Sequence, residues 1–136
     1  MARSNEDIER YILNSRIASE QVGPDTWVIR DPSWGGAQIV VHHAAPLVIF
    51  RVKLMEIPDD IAPAAEAGLY RHQLHLNGTE MLQGAYALEG HAVVAVEVMQ
   101  DINLDENEFV AALDSLTLAI TEHRSEILAL VPGAHA

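Results

Sequence analysis

The sequence predicts an α+β domain: a five-stranded antiparallel sheet with helices packed on it, in the order α-β-β-β-α-β-β-α. Three observations predict it. Apolar residues alternate along short stretches bounded by Gly, Pro and Asp, the pattern of half-buried strands. Elsewhere they recur at three- and four-residue intervals, the pattern of helices. The strand-like stretches come in groups joined by turn residues, which favours antiparallel hairpins over alternating βαβ units. At 136 residues the chain has the length of one domain. Residues 1–136 therefore read as a single domain, ordered over about 4–130 and frayed over 131–136.

The first helix opens at Ser4, where Asp7 three residues on completes a capping box. Ile8, Tyr11, Ile12 and Ser15 follow at helical spacing, and the helix is expected to end near Ala18. Gly23-Pro24-Asp25 is a turn, followed by a short strand over residues 26–30. The stretch from Asp31 to Gly36 is dense in turn formers and reads as a hairpin loop. A second strand, β-branched, covers residues 38–43, and Ala44-Ala45-Pro46 is a tight link. Residues 47–55 form the clearest strand. Val48, Phe50, Val52 and Leu54 make its core face, and Leu47, Ile49, Arg51 and Lys53 fall on the other. Asp59-Asp60 offers an N-cap to a second helix over residues 64–76, with Pro63 tolerated in its first turn. Leu69 and Leu76 define one stripe of that helix, Tyr70 and Leu74 another, and Asn77-Gly78 is a C-cap. Residues 79–90 alternate, with Leu82, Tyr86 and Leu88 on one face. Glu89-Gly90 turns the chain into a last strand whose Val94, Val96 and Val98 share a side. Asp105 with Glu108 starts the final helix, which would run to Leu130 over about 39 Å at 1.5 Å per residue.

Composition narrows the function. Eight Lys+Arg stand against twenty Asp+Glu, a net charge of −12, which repels nucleic-acid phosphates and anionic lipid alike. Residues 101–136 contribute half of it, seven carboxylates against Arg124 alone. The chain has no cysteine, hence no disulfide, thiolate metal site or cysteine nucleophile. The N-terminal residues run into charge, and the longest apolar run is interrupted by Pro46, so neither a signal peptide nor a membrane span is expected. A cytoplasmic protein is expected.

Chemical motifs are sparse. His72 and His75 share a helix face and can share a metal, but no carboxylate stands at helical spacing to complete a site, and Glu80 lies past the helix end. His42 and His43 are adjacent in a strand and point to opposite faces. His91, His123 and His135 have no companion by spacing. Trp34-Gly35-Gly36 lacks the spacing of a phosphate loop, and Trp27 and Trp34 read as packing and turn residues. No serine stands in a G-x-S-x-G elbow. Asp101, Asn103 and Asp105 have calcium-loop spacing without its Gly, and Ala112 stands where the Glu belongs. No cofactor, metal or catalytic residue is expected.

Several stretches carry a family resemblance over roughly residues 5–128. They are Gly36-Ala37-Gln38-Ile39-Val40-Val41 through Phe50-Arg51-Val52, Leu74-His75-Leu76-Asn77, the stretch from Gly84 to Gly90, and Asn103-Leu104-Asp105 ahead of a long amphipathic helix. The chain resembles the bacterial YbjN family, whose fold is like that of type III secretion chaperones. The resemblance implies a non-enzymatic protein, with a regulatory role as in YbjN-like proteins or the grip of a chaperone on an extended partner segment. It also implies a homodimer through the second helix and the strand after it. The second helix carries two apolar stripes where one packing face needs only one, so Leu69 and Leu76, or Tyr70 and Leu74, are expected to meet a second subunit. Leu47, Ile49, Arg51, Lys53, Met81 and Ala85 form the surface for a partner protein. The competing expectations are a small-ligand sensor lined by Trp27 and Trp34, and an enzyme built on His72, His75, Glu80 or His42.

Overall fold

In the computed structural model, which describes residues 1–81 and 83–134, every strand pairing is antiparallel. Leu82 and His135 lie outside the described residues, as do the expectations placed on them. The strands are β1 (Ala18–Gly23), β2 (Thr26–Arg30), β3 (Gln38–Ala44), β4 (Leu47–Glu56), β5 (Ala85–Glu89) and β6 (Ala92–Gln100). They form one sheet in the order β1-β2-β3-β4-β6-β5. The helices are α1 (Asn5–Asn14), α2 (Pro63–Thr79), α3 (Glu106–Leu118) and α4 (Arg124–Ala129), the last two joined by a π-helical turn, Ala119–His123. The sheet thus has six strands where five were expected.

The extra strand replaces the end of the expected first helix. The Ser4–Asp7 capping box forms, and α1 buries Ile8, Tyr11 and Ile12. Arg16 then takes a left-handed conformation, φ 63°, which ends the helix and reverses the chain. The following residues pair with β2 around Pro24-Asp25. All of β1 except Gly23 is exposed on both faces, so it carries no apolar alternation for a sequence reading to detect.

β4 is central, paired with β3 and β6. Val48, Phe50, Val52 and Leu54 are fully buried, as expected. A bulge between Lys53 and Met55 adds Met55 to the same interior. Phe50 packs edge-on against Phe109 of α3 at 4.9 Å between centroids, and Tyr11 of α1 meets the same ring at 5.6 Å. Each such fully buried side chain contributes roughly 1.5–3 kcal/mol. The core lies between this face and the helices, and Trp27 and Trp34 are both part of it.

α2 departs from expectation at both ends. Its N-cap is Ala62, without a side-chain bond, and Pro63 is its first residue, so Asp59 and Asp60 stay in the preceding turn. It runs through Asn77 and Gly78 to Thr79. Asn77 does not cap the helix. Its amide nitrogen donates to the Tyr86 carbonyl at 3.2 Å, and its oxygen accepts from the Tyr86 N–H at 2.6 Å. β5 accordingly begins only at Ala85. The expected single helix over 105–130 is instead α3, the π turn and α4. Its Asp105–Glu108 capping box is present. Val131 is buried and Ala134 packs on the core.

The N-terminal residues are tied down. Ala2 bridges Ile102, and the Arg3 N–H donates to the Asp101 carbonyl at 3.0 Å. Beneath them His43 lies between Asp101 (Nε2 to Oδ2, 2.9 Å) and Asn5 (Nδ1 to Oδ1, 2.6 Å). The Asn5 amide nitrogen donates to Asp25 Oδ1 at 2.7 Å, which fixes its oxygen toward the ring. His42, next along β3, points the opposite way, as its alternation requires.

Candidate protein-binding face

α1, α3 and α4 gather on the face of the sheet that carries Phe50, and α2 packs beside β5 and α4. The alternation of a strand sends the neighbouring residues of β4 to the other face. The register shows what shares it. Arg51 lies opposite Val40 on one side and Val96 on the other, and Val96 lies opposite Ala85. Ile49 lies between His42 and Val98 in the same way. Val94, Val96 and Val98, which the sequence placed on one side of a strand, therefore line this second face, while Val93 and Ala95 enter the core. Leu47, Ile49, Val40 and Val96 are half-buried and Val98 is 48 % exposed.

Charges frame the aliphatic surface. Arg51 makes a bidentate pair with Glu89, both bonds 2.7 Å. Its hydrogen bonds hold the Glu89 carboxyl below the usual carboxylate range. The row of Arg51 passes through Val96 and that of Glu89 through Ala92, so the pair spans the intervening Val94, which is 1 % exposed. Lys53 pairs with Glu56, and Arg30 with Glu20 at 3.2 Å. Exposed pairs of this kind contribute at most about 1 kcal/mol, so the face remains remodelable.

Of the partner residues expected from sequence, Leu47, Ile49, Arg51, Lys53 and Ala85 share this face. Met81 does not. It precedes β5, its N–H donates to the Leu76 carbonyl, and its side chain packs against the core. Of the dimer residues, Leu69 and Leu76 are closed off inside the chain's own core, which removes them from a two-fold contact. Tyr70 is half-buried, and Leu74, 72 % exposed, stands on the outer side of α2.

The CesT_Tir_1 family of type III secretion chaperones matches residues 1–132. The chain belongs to the CesT_Tir_1 family. Solved structures similar to this family member agree on the fold. One is the heterodimeric complex ExoU-SpcU from the type III secretion system of Pseudomonas aeruginosa. The matched chain has a TM-score of 0.66 and 16 % identity, with 92 % of this chain and 98 % of that one covered. YbjN from E. coli matches with a TM-score of 0.64 and 9 % identity, over 93 % and 94 % of the two chains. The HopA1-SchA chaperone-effector complex matches with a TM-score of 0.61 and 10 % identity, over 88 % and 91 %. No curated protein matches the sequence.

The described histidines of this CesT_Tir_1 chain are dispersed. His72 Nε2 lies 3.4 Å from Glu126, His42 bonds Thr26 Oγ1 at 2.9 Å, and His75 and Glu80 are exposed. Among the described residues no three His, Asp or Glu groups converge as metal ligands, and no helix is long and apolar enough to cross a membrane. Sequence reasoning missed the contributions of Val40, Gln38 and Arg124 to the sheet's surroundings. The alternation of β3 carried a signal for the first two. Nothing local signals Arg124, whose place depends on the π turn.

Proposed function

We propose that the protein is a non-catalytic, chaperone-like module of the cytoplasm that works as a homodimer and holds a segment of a partner protein. The segment lies along the helix-free face of the sheet, against Leu47, Ile49 and Ala85, with Arg51 and Lys53 setting its orientation. The observation that carries this reading is the face itself: a largely aliphatic surface with helices gathered on the opposite side among the described residues, in a chain of a chaperone family. Apolar patches of this kind on otherwise charged proteins are interaction surfaces. The chaperone-effector complexes of the same fold support a protein partner. The exposed Leu74 of α2, with the half-buried Tyr70 beside it, supplies the two-fold contact.

The test is affinity capture from the native cell by the wild type and by Ile49→Thr/Val98→Thr. Threonine keeps the β-branch that suits a strand and removes apolar contact. The wild type captures a reproducible partner, and the double variant loses it with unchanged circular dichroism and melting temperature. A folded double variant that still captures the partner would move the site off this face.

A further inference from the structure

Cations are scarce in this chain, eight Lys+Arg in all, yet three of them line one concavity of about 380 Å³. Arg51 and Lys53 come from the open face of β4, Arg124 from the start of α4, and among the described residues no carboxylate lines it. Gln38 and the Gly35-Gly36 turn form the opposite wall. That wall is low: Gly35 and Gly36 take φ 58° and 89°, and a Cβ on Gly36 would meet nothing within 4 Å. A Cβ on Gly35 would stand 3.4 Å from Arg124 Nη1, so the turn lies directly against the guanidinium.

Arg124 differs from the other two. Arg51 and Lys53 each have a glutamate to one side. Among the described residues Arg124 has no carboxylate partner. Its Nε donates to the Leu54 carbonyl at 3.2 Å and its Nη1 to the Trp34 carbonyl at 2.7 Å. Two backbone carbonyls thus fix the plane of the guanidinium without neutralising its charge, and among the described residues Nη2 makes no hydrogen bond. The π turn sets this up, its last hydrogen bond running from the Arg124 N–H to the Ala119 carbonyl. A guanidinium held in advance binds an anion without the entropy loss of a mobile side chain.

We infer that this concavity is an anion subsite that takes the carboxylate of an Asp or Glu side chain in the partner segment. The inference rests on the proposed binding of such a segment and names a property of it. The concavity is continuous with the aliphatic surface. Arg51 is two residues from Ile49 and four from Leu47 on the same face of β4, roughly 7 and 13 Å at strand rise. An extended segment whose acidic residue stands over Arg51, with its carboxylate reaching toward Arg124, lays aliphatic residues, two and four positions along, over Ile49 and Leu47. Charge complementarity selects such a segment: the rest of a chain of net charge −12 repels an acidic peptide, and this corner attracts it.

The experiment is a nitrogen-15 NMR titration of the full chain with a synthetic peptide, acetyl-Ser-Glu-Ser-Ile-Ser-Val-Ser-amide, and its Glu-to-Gln counterpart. The Glu peptide shifts the Gly35 and Gly36 amides and the Arg124 Nε–H together with Ile49 and Val98. The Gln peptide binds about tenfold more weakly, as loss of a charge-assisted bond requires. Arg124→Gln abolishes the difference between the peptides. Lys53→Gln, at an exposed strand position, reduces it and keeps the test valid should Arg124→Gln fail to fold. Equal binding of both peptides, with shifts confined to Ile49 and Val98, would overturn the subsite and leave the binding face standing. Absence of any shift with either peptide would overturn the subsite, while the capture experiment decides the face separately. Inorganic phosphate that shifts the same signals more strongly than the Glu peptide would overturn it in favour of a small free anion.

Discussion

Gly84 and Tyr86 show how much a single position carries at the entry to β5. Gly84 adopts φ 77°, and a Cβ built on it would stand 2.6 Å from the Val96 carbonyl oxygen, an atom of the neighbouring strand that cannot move aside. Gly84→Ala is expected to lower stability by roughly 1–3 kcal/mol, read from the urea midpoint. Two residues on, the Tyr86 hydroxyl meets His123 Nδ1 at 2.5 Å in the core. Burial pushes the Tyr86 phenol up, and the negative charges of Glu126 and Glu80 push it the same way. The fold therefore favours the neutral phenol. Its contribution is fully present below about pH 10, the unfolded value, and is lost as pH rises through the folded value. Urea melts at about pH 8 and about pH 11 should show the wild type losing more stability between them than Tyr86→Phe. Tyr86→Phe should also start lower by about 1–3 kcal/mol, because His123 loses its partner. An equal loss in both proteins would show that Tyr86 is not the group titrating.

Among the elements, those with self-contained signals were legible in sequence. Both capping boxes, Ser4 with Asp7 and Asp105 with Glu108, formed as their spacing requires, because a cap is satisfied within one turn of chain. The alternation of β4 gave its buried face for the same local reason. β1 was invisible because an edge strand exposed on both faces has no apolar period. Asn77 misled because Asn before Gly is a common helix stop, whereas here its amide is occupied by the backbone of β5, nine residues on. Asn77→Ala leaves the Tyr86 N–H without that acceptor at the sheet edge. It is expected to cost about 1–3 kcal/mol and to raise hydrogen exchange in β5 ahead of β4. Uniform exchange across both strands would mean that Asn77 does not anchor β5.

For the whole molecule, the decisive feature is the asymmetry of the sheet, with helices gathered on one face and the other left to aliphatic side chains and exposed ion pairs. The proposed homodimer is a property at this scale. Leu74 is 72 % exposed on the outer side of α2, where a second subunit would cover it. Light scattering after size exclusion is expected to report about 30 kDa, twice the chain's 14.9 kDa. Leu74→Glu is expected to bring the mass down to that of the single chain with the melting temperature little changed, because the side chain makes little contact within its own fold. A wild type already at the single-chain mass at micromolar concentration would remove the dimer.

By itself the sequence determined the α+β class, the two capping boxes, the core face of β4 and the acidic character of the chain. Each of these is encoded in residues near one another along the chain. Tertiary structure decided the sixth strand, the length of α2, the inward turn of Leu69 and Leu76, the removal of Met81 from the binding face and the convergence of Arg51, Lys53 and Arg124. These depend on which elements meet. Arg124 is 71 residues beyond Lys53, and its guanidinium is aimed by carbonyls of Trp34 and Leu54 that no local pattern connects to it. Packing joins residues by distance in space, and periodicity reports only what a strand or helix does to its own neighbours.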